Sequence, residues 1–210
     1  PTMLANQVAD ATVSATICAR LTTHGGCCYP RFSPDGMHLA YSAPSDEDDP
    51  HSPAEVFVVD ARGRGRAPRR LTYLGERCEV AGWTADGSRI LFRTSADQPM
   101  QHLTQLWSVA LPALSSKPWP AGASGQSGRP APLGVGVSHH LLNLSDGSYL
   151  VGRYTVDPAH TQWKGYRGGA GGHLWHGRRG GEFARVPLPA DWNVGEPCEF
   201  GGRLYFVSDH

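Results

Sequence analysis

The chain lacks a surplus of charge of either sign, lacks an apolar run long enough to cross a bilayer, and has few methionines and an odd number of cysteines. Its 19 basic residues balance its 19 acidic ones, so no global field draws it to nucleic acid or to an anionic membrane. The absence of a long apolar run indicates a soluble protein without a membrane anchor. Cys18, Cys27, Cys28, Cys78 and Cys198 contain no CxxC pair and no matching ligand spacings, which argues against a disulfide framework. Adjacent Cys27 and Cys28 have the chemistry to oxidise or to hold a soft metal, but small buried thiols in a reducing cytosol are the simpler reading. Residues 1–13 show no charged segment leading into an apolar one, so no secretory signal is read there. A start at Pro1 rather than Met reads as a chain cut from something longer.

Catalytic signatures are also missing. There is no nucleophile elbow, phosphate loop, His-Glu zinc motif or paired Gly-rich nucleotide fingerprint. Gly168-Gly169-Ala170-Gly171-Gly172 invites comparison with a phosphate cradle, yet a strand containing Leu174-Trp175 follows it where a helix would be needed, so a loop is expected. His139-His140, His173 and His176 are candidate imidazole ligands, but neighbouring residues of a strand point to opposite faces and do not readily share one ion. We therefore assign no catalytic residue, no metal site and no cofactor.

What the sequence does have is abundant turn chemistry, with 26 Gly and 17 Pro, and a phrase that recurs four times. It reads Ser33-Pro34-Asp35-Gly36 before Leu39-Ala40-Tyr41, Thr84-Ala85-Asp86-Gly87 before Ile90-Leu91-Phe92, Leu144-Ser145-Asp146-Gly147 before Leu150-Val151-Gly152, and Gly201-Gly202 before Leu204-Tyr205-Phe206. Pro presets φ, Ser and Asp bond the turn backbone, and Gly accepts positive φ, so each phrase predicts a hairpin. The strands that follow are apolar on consecutive residues, which predicts burial on both faces. A further strand follows in register, with its aromatic at a fixed place, in Glu55-Val56-Phe57-Val58-Val59, Gln105-Leu106-Trp107-Ser108-Val109 and His173-Leu174-Trp175-His176. Short outer strands are read at Arg20-Leu21-Thr22 and Arg70-Leu71-Thr72, with weaker counterparts at Pro132-Leu133-Gly134 and Arg185-Val186-Pro187.

From Gly36 to Gly87, Gly147 and Gly202 the turn returns after 51, 60 and 55 residues, the length of a four-stranded sheet with its loops. The predicted fold is all-β: a β-propeller of four-stranded blades, incomplete, with about three full blades plus two part-blades. By this phase one blade ends in residues 1–26, and blades occupy 27–74, 75–134 and 135–192, all in one propeller domain. Residues 193–210 open the next blade. The acidic run at 45–49 and the Pro/Gly/Ser-rich stretch at 112–132 are read as loops.

One cluster, Trp163-Lys164-Gly165-Tyr166-Arg167, interleaves basic and aromatic residues and has the chemistry to grip a carboxylate or stack on a ring, although taken alone it reads more simply as a loop between blades. With Gly168-Gly169 and His173-Leu174-Trp175 it resembles a phrase in the amino-terminal propeller of tricorn proteases. Gly201-Gly202-Arg203-Leu204-Tyr205-Phe206-Val207-Ser208-Asp209-His210 and Arg20-Leu21-Thr22-Thr23-His24-Gly25-Gly26 resemble a blade start and a blade junction of the same family. The resemblance implies part of a six-bladed propeller in a cytoplasmic serine peptidase that degrades peptides, with propellers that guide them toward or away from a shielded site. It implies peptides, the remaining domains of the same polypeptide and a homo-oligomer, a hexamer in the family, as partners, with no nucleic acid and no membrane. Lys164, Tyr166 and Arg167 are then the candidate peptide-binding residues. The family's catalytic serine and histidine belong to later domains, so this stretch is expected to be inactive alone. The turn phrase by itself is less specific, since it also resembles TolB-type and prolyl oligopeptidase propellers. A TolB-type protein-interaction module without peptidase activity is the alternative, and a truncated product without activity of its own is a third reading.

Overall fold

The computed structural model of the chain describes residues 21–22, 25–62, 67–111, 128–155, 171–178 and 180–209. Among these, every regular element is a strand. The first antiparallel sheet holds β1 (Cys28–Phe32), β2 (His38–Pro44), β3 (Ala54–Asp60) and β4 (Arg69–Arg70), side by side in chain order. The second holds β5 (Cys78–Trp83), β6 (Arg89–Thr94), β7 (Gln105–Ala110) and β8 (Ala131–Val137), and the third β9 (His140–Asn143), β10 (Tyr149–Arg153), β11 (His173–Gly177) and β12 (Phe183–Arg185). A two-stranded sheet of β13 (Val194–Phe200) and β14 (Arg203–Ser208) follows. β1 packs beside β5, β5 approaches β9 and β9 approaches β13, so the first strands line the inside of an arc. The fold is an incomplete β-propeller.

The hairpins form for the reason their residues suggest. In the first, the Ser33 hydroxyl donates to Asp35 Oδ1 at 2.6 Å and accepts from the His38 amide at 2.9 Å, while the Met37 amide donates to the same carboxylate and Gly36 takes φ 68°. Thr84, Asp86, Ser88 and Gly87 repeat these contacts in the second. In the third, Leu144 replaces the hydroxyl residue. That loop is one residue shorter, with Asn143 opposite Tyr149 where Trp83 stands opposite Ile90.

Successive residues of the second strands face successive blades, which is why they are apolar without alternation. Ile90 and Phe92 pack back on Ala40, Val56 and Val58 of the first sheet, whereas Leu91 packs forward with Leu141 and Val151 of the third. Leu150 and Leu174 continue the stack onto Val194. Burying each large side chain contributes roughly 1.5–3 kcal/mol, so the blade interfaces hold the arc together. The third-strand aromatics fall in register, with Phe57 opposite Tyr41, Trp107 opposite Phe92 and Trp175 opposite Val151.

Three expectations are corrected. β14 is not buried on both faces: Tyr205 and Val207 are 48% and 52% exposed, because no third strand lies along it among the described residues. The outer strand β8 is seven residues long and runs to Val137, while β4 and β12 are short as read. The cysteines are not uniformly buried: Cys78 is, but Cys27 and Cys198 are exposed and Cys28 is half-buried. Cys27 follows the Gly25-Gly26 turn and Cys198 lies on the open β13–β14 sheet, where no neighbouring layer covers it.

Candidate functional site at the first-strand ends of the blades

In an antiparallel blade the start of the first strand, the exit of the second and the entry of the third lie at one end. That end gathers the polar groups of this molecule. Tyr29 and Glu196 each occupy a β-bulge of a first strand, each takes a left-handed φ, 52° and 45°, and each immediately precedes a proline. Such strained positions cluster where side chains must be aimed.

Glu79 of β5 sits between two guanidinium groups, Arg77 at 2.7 Å and Arg93 of β6 in close contact. Arg93 lies 5.8 Å from the Tyr29 ring centroid, and Arg77 donates to the Tyr29 hydroxyl at 3.4 Å. Arg77 is 66% exposed, whereas Arg93 and Glu79 are nearly buried. Two cations around one anion leave this quarter positive. Across the arc, His140 approaches Glu196 at 3.6 Å, and the Glu196 side chain is 55% exposed. The cluster therefore presents both signs of charge on one face.

The two histidines hold the exit of β10. His139 Nδ1 accepts the Tyr154 amide at 2.9 Å, and His140 Nδ1 meets Thr155 Oγ1 at 2.8 Å. Burial, reinforced by Arg93, depresses His139 to a pKa of about 4, so its imidazole is neutral. Burial also lowers His140, against an opposing pull from Glu196. Burial raises Cys28, and Cys78 is pushed up to about 12 by burial and by Glu55, so neither supplies a thiolate. Among the described residues no three His, Cys, Asp or Glu side chains converge as metal ligands do.

Lys164, Tyr166 and Arg167 lie outside the described residues, between Thr155 and Gly171. Both roots of that segment are described. Glu196 N donates to Thr155 O at 3.2 Å and Val194 N to Gly172 O at 3.2 Å, and a side chain at Gly172 would collide with the Val194 carbonyl. His173 contacts Arg185 at 3.0 Å, and His176 contacts the Ser148 hydroxyl at 2.7 Å, so these two serve within their blade. The acidic run closes on itself as a loop: Asp46 Oδ1 accepts the Asp48 amide and Asp49 Oδ1 the His51 amide.

A family model, the tricorn protease N-terminal β-propeller domain, matches residues 4–210. The chain belongs to this family. The tricorn-type propeller is 36% identical over 184 residues to tricorn protease homolog 1 of Streptomyces coelicolor, covering 87% of this chain and 15% of that protein. The chain spans about 15% of the length of the curated relatives it matches. The crystal structure of the tricorn protease superposes with a TM-score of 0.67 at 28% identity, over 90% of this chain and 17% of that one. A putative TolB from Agrobacterium tumefaciens superposes at 0.61 with 17% identity, over 90% and 56% of the two chains, and shows the shared fold alone.

Sequence reasoning passed over Tyr29, Arg77, Glu79, Arg93, Tyr154 and Glu196 in this tricorn-type propeller. A signal existed for two of them, since Tyr29-Pro30 and Glu196-Pro197 both stand a few residues before a hairpin turn. Of the others, Glu79 and Arg93 face each other across the β5–β6 hairpin with Arg77 beside them, and Tyr154 reaches His139 within its own blade.

Proposed function

We propose that this propeller is the non-catalytic part of a tricorn-like serine peptidase acting in the cytoplasm, where it guides peptides to or from a proteolytic site shielded by other domains. The family match over 4–210 carries this reading. The mixed-charge cluster at the first-strand end suits peptides, which bring an ammonium, a carboxylate and a chain of backbone donors and acceptors. Lys164, Tyr166 and Arg167 are the peptide contacts in this proposal, and the partners are the remaining domains of a longer polypeptide in a homo-oligomer, a hexamer. No helix among the described residues is long and apolar enough to cross a membrane.

A second reading, a TolB-type propeller that binds protein partners without any peptidase, shares this fold. Fluorescence anisotropy with labelled peptides of about ten residues, paired with mass spectrometry of the same mixtures, separates them. Peptide binding without cleavage, weakened by the Lys164→Ala/Arg167→Ala double variant, is the expected result. Cleavage by this chain would overturn the non-catalytic assignment, and absence of binding would favour the interaction module.

A further inference from the structure

We infer that His139 and His140 are positioning residues that latch the exit of β10, and that acid opens the His139 half of this latch. The inference rests on the peptide-guiding reading for its purpose, because the latch sets the direction in which the chain leaves toward Lys164, Tyr166 and Arg167. The latch itself is built from described residues only.

Three observations place it. The Tyr154 amide donates to His139 Nδ1 at 2.9 Å, and Tyr154 takes a left-handed φ of 52°, a conformation that a bulky side chain holds only when its surroundings impose it. The imposing contacts are that hydrogen bond and the Tyr154 ring, whose centroid lies 5.5 Å from that of His139. The next residue, Thr155, is buried and held from two sides, by His140 Nδ1 at its hydroxyl and by the Glu196 amide at its carbonyl. His139 is itself tied to β10, since its amide donates to Gly152 O at 2.8 Å.

An imidazole nitrogen that accepts a hydrogen bond must be unprotonated, so the His139 proton resides on Nε2. Adding a proton to Nδ1 turns the acceptor into a donor facing another donor, and the Tyr154 bond is lost. The charged and titratable groups facing His139 are Arg93 of β6, Glu79 of β5 and the neighbouring His140, and a hydrogen bond with the His102 backbone favours the protonated ring. Burial and Arg93 oppose protonation, so the latch is closed at neutral pH and opens only in acid. His140 faces Glu196 of β13, Arg93, Arg31 of β1 and Glu79. Its protonation strengthens attraction to Glu196, and the Thr155 hydroxyl can accept from a protonated Nδ1. The two histidines therefore respond oppositely: Tyr154 is released while Thr155 stays held.

Amide hydrogen exchange of this chain between pH 7 and pH 4, corrected for the intrinsic pH dependence of exchange, tests the latch. The amides of Ile90, Leu91 and Phe92 report on global unfolding. Protection of the Tyr154 amide should fall by about tenfold as His139 takes up its proton, and should lie below that of the β6 amides at every pH because the latch opens without global unfolding. His139→Asn, which offers a non-titrating Oδ1 in place of Nδ1, should keep protection across the range, and His139→Ala should lose it at every pH. Constant Tyr154 protection in the parent chain, an acid loss in His139→Asn equal to that of the parent, or Tyr154 protection equal to that of β6 at every pH would each overturn the latch. Failure to bind peptides would instead overturn the guiding role and leave these exchange results standing.

Discussion

At the scale of the residue, the third-strand aromatics show what a blade interface demands. Trp107 is 6% exposed, and its indole nitrogen is buried without a hydrogen-bond partner among the described residues. Phe57 stands at the corresponding register of the first blade. The position requires ring volume and not the N–H, because an unpartnered buried donor costs about 1–3 kcal/mol. Trp107→Phe should therefore leave stability within about 1 kcal/mol of the parent, while Trp107→Ala should lose roughly 3–5 kcal/mol by urea unfolding. Acid stability is set by two kinds of residue. Asp35, Asp86 and Asp146 are held below the ordinary carboxylate range by hydroxyls of Ser33, Thr84 and Ser148 and by turn amides, Asp86 at about 2. His139 titrates near 4, below its ordinary 6.5. Both folded values are depressed, so both contributions are present at neutral pH and disappear as pH falls, first through the histidine window from about 6.5 to 4, then through the aspartate window from about 3.8 to 2. The histidine window is worth up to about 3 kcal/mol. Urea midpoints across pH should decline in two steps, and His139→Asn should shrink the upper one, to which His140 and His173, also lowered by burial, contribute. A single decline confined to the lower window in the parent would contradict the assignment.

At the scale of the element, the Asp-Gly hairpin works by pairing a carboxylate that gathers amides with a glycine that turns left. Gly87 takes φ 68°, and a Cβ there would sit 3.6 Å from Pro34 Cδ, an ordinary contact. Space is therefore not the obstacle to a side chain. Gly87→Ala should cost about 1–2 kcal/mol through backbone conformation alone, read as a lowered thermal midpoint with an unchanged circular dichroism spectrum. Hairpins also join blades. Trp83 Nε1 donates to Arg31 O, Asn143 Nδ2 donates to Trp83 O, and the Ser145 amide and hydroxyl donate to Glu199. Each blade thus bonds the rim of the one before it, through three different side chains at or beside one register. That diversity hides the device from a search for repeated residues.

At the scale of the whole molecule, the blades are joined by apolar stacking and by one buried carboxylate. Glu55 is fully buried on β3 and receives Arg70 at 3.2 Å, the Gly75 amide at 3.0 Å and the Cys78 thiol. It ties the first blade to the linker and to the opening of the second. The far face of the arc is different in kind, since Phe200, Tyr205 and Val207 are exposed on β13 and β14. A two-stranded sheet with exposed apolar side chains, and with an edge that pairs with no strand among the described residues, is a template for association. This chain should show concentration-dependent self-association by sedimentation, and Tyr205→Lys with Val207→Lys should reduce it; unchanged association in the double variant would place the contact elsewhere.

The turn phrase determined the hairpins, the consecutive apolar residues determined strands covered on both faces, and the spacing of the phrases determined four-stranded blades. These are local matters, settled by φ preferences and by side-chain periodicity within a few residues. Sequence also carried the family, through Trp163-Lys164-Gly165-Tyr166-Arg167 and the Gly201 to His210 phrase, as the match over 4–210 shows. His139 and His140 were legible as hydrogen-bonded histidines, but their partners were not, because Tyr154 and Thr155 return through a hairpin and Glu196 arrives from the next blade. In the cluster of Tyr29, Arg77, Glu79 and Arg93 the last three are related by the β5–β6 hairpin and were passed over, whereas Tyr29 was illegible because it arrives from another blade. Only the stacking of blades decided how deeply the histidines are buried, that Tyr29 meets Arg93 and His140 meets Glu196, and which strand stays uncovered, because burial and electrostatic neighbourhood belong to the packed chain and not to any segment of it.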